Sequence, residues 1–224
     1  MRLDVYLVEM GYFKSRGRAK KAILDGYVKV RGTVIRKPSK DISAEDNIEV
    51  EEGLDMPKGY FKLQGIQEAT GLLSEGDSVL DIGSSAGGFL LFASEIVAEI
   101  KGVEFSKDFR SELGKIVHEK NNVSVIFADA FRSPLEEISP EQVDVLLIDM
   151  TLEPLDSVQA LERLLPLLKS GGKFLLVVKM EDCKNRKPIL ARIETCGVRV
   201  LEIIEPEQME IYVVGEKTED KSIL

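Results

Sequence analysis

From about residue 78 onward, the hydrophobic positions fall into short continuous runs rather than strict alternation. Val79–Ile82, Ile100–Glu104, Val123–Phe127, Val143–Asp149 and Phe174–Lys179 have the length and β-branched content of strands buried on both faces. Stretches of helical spacing separate them. One opens at Tyr60-Phe61-Lys62-Leu63 and ends near Gly71. Others run from Leu90 to about Ala98, Lys107 to Lys120, Leu155 to Leu168 and Arg186 to Cys196. Two further strands, near Val198–Ile204 and Met209–Val214, complete the set. Strands alternating with helices predict an α/β domain with a parallel sheet covered on both faces, spanning residues 60–215.

The first 51 residues follow another pattern. Leu3, Leu7, Val8 and Met10 mark a short helix, and Ser15 is a good N-cap for a second, with Ala19, Ala22, Ile23 and Leu24 as its apolar face and Gly26 as its stop. Tyr27–Val30 alternates as a strand, Arg31-Gly32 turns, Thr33–Ile35 returns, and Asn47–Val50 makes a third strand. This is a small α+β domain. Residues 52–59, with Gly, Pro and acids but no periodicity, read as a linker, and 216–224 as a polar tail.

Charge divides the chain at the same place. The net charge is −9, yet residues 1–40 hold 11 Lys/Arg against 3 Asp/Glu, while residues 51–224 hold 19 against 32. A basic module is joined to an acidic body. Arg16, Arg18, Lys20 and Lys21 lie on the polar face of the second helix, and this local excess of cations favours phosphate binding. No apolar run reaches the ~20 residues of a membrane helix and the start lacks a signal-type core, which predicts a cytoplasmic protein without a membrane partner. Cys183, Cys196 and the single His118 supply neither a disulfide framework nor a metal site, so acid–base chemistry must come from Lys, Asp, Glu or Tyr.

Chemistry gathers at the carboxyl ends of the predicted strands, where open α/β sheets bind ligands. The first strand runs into Asp81-Ile82-Gly83-Ser84-Ser85-Ala86-Gly87-Gly88-Phe89, a glycine-rich turn leading into a helix. Ser85 stands where a dinucleotide fingerprint needs its second glycine, and Asp81 would repel a pyrophosphate, so a cofactor with a positive centre fits better: S-adenosylmethionine (SAM). Asp81, Gly83, Ser84, Ser85, Gly87, Gly88 and Phe89 are its candidate contacts. Glu104 lies 23 residues after Asp81, the distance at which an acid receives ribose hydroxyls, and Asp129 is placed to accept from the adenine amino group. Asp149 and Lys179 end the next two strands. Lys179 closes a very apolar strand, and burial beside a second cation such as Lys62 would lower its pKa and make it a usable base, oriented by Asp149.

Two resemblances sharpen this reading. Arg2-Leu3-Asp4, Ser15-Arg16-x-x-Ala19 and Ile23-Leu24-x-Gly26-x-Val28-x-Val30-x-Gly32 resemble the RNA-binding module named after the fourth small-subunit ribosomal protein, which implies RNA as partner and makes Arg16, Arg18, Lys20, Lys21 and Lys29 the candidate RNA-binding residues. Phe61-Lys62-Leu63, Asp81-x-Gly83-x-x-x-Gly87-Gly88-Phe89, Asp149-Met150, Val178-Lys179 and Glu210-x-Tyr212-Val213 resemble the FtsJ-like RNA 2′-O-ribose methyltransferases. The second resemblance implies a Rossmann-like methyltransferase sheet, SAM as cofactor (with Asp149 also beside it), no metal, and a catalytic tetrad of Lys62, Asp149, Lys179 and Glu210. The two in series resemble the TlyA family, also called haemolysins, which implies ribosomal RNA or a ribosomal subunit as partner. The sequence departs from those families after Lys179, where Met180-Glu181-Asp182-Cys183 replaces proline and an aromatic segment, and after Asp149, where Met150-Thr151-Leu152 replaces a small residue and proline. Competing readings are a base methyltransferase, which lacks its Asn-Pro-type motif here, a non-catalytic RNA-binding factor that binds SAM, and a membrane-damaging haemolysin.

Overall fold

A computed structural model describes residues 1–13, 15–43, 46–50, 56–180, 186–206 and 209–218. The chain divides into two compact units, Met1–Met56 and Pro57–Leu224.

In the first unit, α1 (Leu3–Glu9) and α2 (Arg16–Asp25) pack on a three-stranded antiparallel sheet of β1 (Val28–Val30), β2 (Thr33–Val34) and β3 (Ile48–Val50), ordered β2-β1-β3. The Ser15 hydroxyl accepts from the Arg18 backbone N–H at the start of α2, and Gly26 ends the helix in the left-handed conformation. Leu3, Leu7, Phe13, Ala19, Ile23, Val28, Val30 and Ile42 form its core. Asp4, in the first turn of α1, is buried, and the guanidinium groups of Arg2 and Arg16, each 2.9 Å away, hold its carboxyl down at about 2. Arg16, counted above among the residues for RNA, therefore also ties α2 to α1.

The second unit begins with α3 (Lys58–Thr70), two residues ahead of the expected start. It continues through β4 (Ser78–Ile82), α4 (Gly88–Ala93), β5 (Glu99–Glu104), α5 (Arg110–Glu119), β6 (Val123–Phe127), α6 (Leu135–Ile138), β7 (Val143–Ile148), α7 (Pro154–Leu164), β8 (Leu168–Lys179), α8 (Lys187–Glu194), β9 (Val198–Ile204) and β10 (Glu210–Lys217). The seven strands are ordered β6-β5-β4-β7-β8-β10-β9. Apolar clusters cover both faces: one joins Leu80, Leu146, Phe174 and Leu176 to α7 and α8, the other joins Val79, Val145, Leu175 and Val177 to α3, α4 and α5.

Three features differ from the sequence reading. The sheet is not parallel throughout, because β10 runs antiparallel to both β8 and β9. The five residues between β9 and β10 are too few for a crossover, so the chain reverses and β10 lies between β8 and β9. Second, α4 stops at Ala93, not Ala98. The Ser94 hydroxyl donates to the Leu91 carbonyl, and the Asn122 side-chain amide takes the carbonyls of Ser94 and Val97, so the freed acceptors are satisfied without another helical turn. Third, β10 carries Glu216 and Lys217, which the polar pattern had assigned to a tail; Lys217 is held by the carbonyls of Leu165 and Leu168.

Candidate active site

The turn after β4 shapes one end of the site. Gly83 has φ 88°, and a Cβ there would stand 2.7 Å from the Asp149 carbonyl oxygen, so only glycine lets the turn close on the end of β7. Ser85, with φ 48°, is one of two non-glycine residues in the left-handed region among those described. Its backbone N–H donates to Glu104 (2.7 Å), whose other oxygen accepts from the Ser106 N–H (2.7 Å). Glu104 thus ties the turn to the end of β5. Gly88 opens α4, where a Cβ would come within 2.6 Å of the Tyr60 nitrogen; its absence lets α4 lie against the start of α3. Gly87 is buried behind the turn against Leu113 and Ile116, so it serves packing and does not face the cavities.

Two adjoining cavities meet at Gly83, Ser85, Asp149 and Thr151. The first, of about 580 Å³, runs along the ends of β5, β6 and β7, with Glu104 and Asp129 on its polar side and Phe105, Phe109 and Phe131 on its apolar side. The Asp129 carboxylate accepts from the Phe131 backbone N–H (2.8 Å). The second, of about 710 Å³, is walled by α3 on one side and by the ends of β7, β8 and β10 on the other, and Ser84, Gly88 and Phe89 face it.

Asp81 departs from its expected place. It belongs to β4 itself, is 1% exposed, and both carboxylate oxygens lack a hydrogen-bond partner. Burial, reinforced by the charges of Asp149 and Glu104, pushes its pKa up to about 7.

In the second cavity four charged side chains close into a ring. The Lys62 ammonium, carried inward from α3, donates to Asp149 (2.9 Å) and contacts Glu210 (3.1 Å). The Lys179 ammonium donates to Glu210 and lies 3.4 Å from Asp149. Lysine and carboxylate alternate around the ring, so two positive and two negative charges balance, which lets them share a half-buried site. The antiparallel course of β10 makes this possible. Glu210, the first residue of β10, pairs in register with Lys179, the last of β8, so an acid from a strand start reaches the rim formed by strand ends.

Lys179 corrects the expectation of a lowered pKa. Burial is the largest single influence and pulls it down, but the hydrogen bond to Glu210 and the charge of Asp149 outweigh it, and the net shift is upward. Glu210 is the mirror case: burial raises its pKa, while the hydrogen bonds from Lys179 and Tyr212 and the charge of Lys62 bring it below the usual value.

The sequence alone assigns no role to Tyr212. Its hydroxyl donates to Glu210 (2.6 Å) and its ring lies under Lys62, 5.4 Å from the ammonium. The signal was there: residues two apart on a strand share a face, so whatever faced Glu210 would include Tyr212. Gly102 gave no comparable signal; a side chain there would strike the Ser84 hydroxyl, a contact between strand and turn.

Of the residues proposed for RNA, Arg16, Arg18, Lys20, Lys21 and Lys29 are all exposed on the first unit. Of the segment after Lys179 that departs from the family pattern, Met180 is buried, and residues 181–183, Cys183 among them, lie outside the described residues. Among the described residues no cluster of His, Cys, Asp or Glu could hold a metal ion, and no helix is long and apolar enough to cross a membrane.

Comparison with known proteins places these features in a family. The S4 domain model matches residues 1–48 and the FtsJ-like methyltransferase model residues 56–218. Hemolysin A of Brachyspira hyodysenteriae is 38% identical over 90 residues, 40% of this chain and 38% of that protein. Ribosomal RNA large subunit methyltransferase E of Desulfosudis oleivorans is 27% identical over 175 residues, 70% of this chain and 82% of that protein. In fold, the chain is similar to Aeropyrum pernix fibrillarin, solved with natively bound S-adenosyl-L-methionine, at a TM-score of 0.59, 20% identity, and coverage of 77% of this chain and 80% of that one. The serial arrangement is the TlyA-like one that the sequence suggested: an S4 domain first, and with the second domain matched over well more than half the chain, this protein belongs to the FtsJ-like methyltransferase family.

Proposed function

We infer that this protein is a SAM-dependent RNA methyltransferase acting on a ribose 2′-hydroxyl, with ribosomal RNA, naked or in a subunit, as its substrate. The observation that carries the reading is the ring of Lys62, Asp149, Lys179 and Glu210 beside the glycine turn, since it joins a seat for a cofactor to groups able to manage a hydroxyl proton. The residues present fit the cofactor. The first cavity offers apolar aromatic walls for adenine and the Glu104 carboxylate for a diol. When bound, SAM supplies an activated methyl group on a positive sulfur, which leaves as a neutral thioether.

The chain's own residues would do the rest. A ribose hydroxyl is a weak nucleophile at neutral pH and must lose its proton as the oxygen–carbon bond forms and the carbon–sulfur bond breaks. Lys179 is the acceptor of that proton at Nζ. It rests as an ammonium, so it must first release a proton of its own, and Glu210 and Asp149 set the pH at which it does so. Lys62, held by Asp149 and Glu210, aims its charge at the hydroxyl or the adjacent phosphate. RNA rather than DNA is the acceptor because the reacting group is the 2′-hydroxyl. The basic first unit, with Arg18, Lys20, Lys21 and Lys29 exposed, supplies phosphate contacts.

The test is incubation with tritiated SAM and either ribosomal RNA or intact subunits, followed by nucleoside mapping. Label in a 2′-O-methyl nucleoside is expected, together with its loss in Lys179→Ala despite retained SAM binding. Label in a base, or none in RNA, overturns the reading.

A further inference from the structure

We propose that Phe61 is the stacking platform for the nucleobase attached to the reacting ribose. The proposal rests on the ribose-methylation reading above. Along α3, Leu63 and Ile66 face the core, and Lys62 turns toward Asp149. Phe61 belongs to neither set. It is 46% exposed and walls the same cavity as Lys62, Lys179, Glu210 and Tyr212. Its position is also held. Phe61 packs against Tyr60 with ring centroids 5.4 Å apart at 73°, and Tyr60 packs in turn on Phe92 at 5.2 Å and 90°, with its hydroxyl on Glu95 (3.1 Å). A ring propped from behind and open in front costs little entropy on binding a flat ligand.

The chemistry of the cavity selects that ligand. An acceptor hydroxyl delivered to Lys179 brings its base along, tied to the same ribose, and the cavity wall left for that base on the α3 side is Phe61. The floor carries the charge ring, which does not suit an apolar base face, and the Lys58 ammonium at the start of α3 is placed for the phosphate instead. Stacking on a phenyl ring requires a base free of its neighbours, so the acceptor nucleotide is unpaired or turned out of its helix. Because every base has an aromatic face, Phe61 recognises that a base is present without reading its identity.

The experiment pairs a protein change with a change in RNA. Ribosomal RNA is methylated by the wild-type protein and the product mapped; absence of a 2′-O-methyl nucleoside at this stage defeats the underlying reading, independently of Phe61. A short single-stranded RNA carrying the mapped nucleotide, and its counterpart with an abasic acceptor ribose, are then compared in wild type, Phe61→Ala, Phe61→Leu and Phe61→Tyr. Wild type should lose about tenfold or more in kcat/KM on the abasic RNA. Phe61→Ala should lose about as much on the intact RNA and show no further loss on the abasic one, with SAM binding unchanged. Phe61→Tyr should restore the preference and Phe61→Leu should not. An abasic penalty of the same size in wild type and Phe61→Ala overturns the proposal. So does full activity in Phe61→Ala, or a Leu variant as good as Tyr, which would mean that the ring serves only as apolar packing.

Discussion

At the scale of single residues, the site is governed by where charge is left uncompensated. Lys179 holds its proton because Glu210 and Asp149 stabilise the ammonium against burial. Glu210→Gln removes one of those supports while keeping the shape, so the Lys179 pKa should fall and the alkaline rise in kcat/KM should move to lower pH. A pH–rate profile checks this; a midpoint that stays put, or moves up, removes Lys179 from the role of base. Asp81 carries the opposite imbalance. Its folded pKa of about 7 exceeds the ordinary 3.8, so the folded state prefers the protonated form, and ligand-free protein should lose stability as pH climbs from about 4 to about 7, by at most about 4 kcal/mol. Asp81→Asn should flatten that decline, and its thermal midpoint should overtake that of wild type as pH rises. Parallel melting curves for the two proteins across this range would refute it. Neither behaviour was legible in the sequence. The residue types at strand ends announced a site, but the direction of each shift depends on burial and on neighbours from separate strands that no local pattern brings together.

At the scale of elements, the site is as good as the contact between α3 and α4. Lys62 rides on α3, and α3 is located by the bare backbone of Gly88 at the head of α4, with α5 packed behind Gly87. Gly88→Ala should force the two helices apart, costing about 1–3 kcal/mol in stability. It should also lower kcat more than it weakens SAM binding, because the shift falls on the lysine side of the site. Thermal unfolding and single-turnover assays measure the two effects, and a stable variant with normal turnover would show that the close approach is dispensable. Sequence reading found these elements readily, since continuous apolar runs of strand length and glycine stops leave few alternatives. It overran α4 by five residues because the capping that ends that helix comes from Asn122, across the β5 connection. It missed the direction of β10 because an apolar strand looks the same read either way.

At the scale of the whole molecule, charge is divided between two units. The positive excess lies in residues 1–40 and the reaction groups lie after residue 57. Protein lacking residues 1–56 should keep its SAM affinity, because both cavities are built from the second unit alone. It should bind ribosomal RNA more weakly, and log Kd should vary less steeply with log salt, by about 0.7–0.9 for each phosphate that the first unit neutralises. Filter binding over a salt series measures this; an unchanged slope would mean that RNA is gripped elsewhere. The division itself was legible from composition, because a local excess of cations needs no tertiary information to be seen. How the acidic second unit presents positive charge was not, since it depends on Lys58 and Lys62 from α3 and Lys179 from β8 lining one cavity from opposite walls.

The reversed strand β10 has a consequence for how the protein comes into being on the ribosome. Strands β4 to β8 can assemble as they emerge, each beside a strand already made. Glu210 joins the site only when β10, the last strand of the chain, pairs with β8. A nascent chain halted before that point already has the glycine turn, Lys62, Asp149 and Lys179, yet lacks the carboxylate that balances the two lysines. Its half-built centre carries surplus positive charge in a half-buried place, a state the completed strand relieves. Completion of the sheet and neutralisation of the site therefore coincide, because the same strand start that pairs with Lys179 carries Glu210.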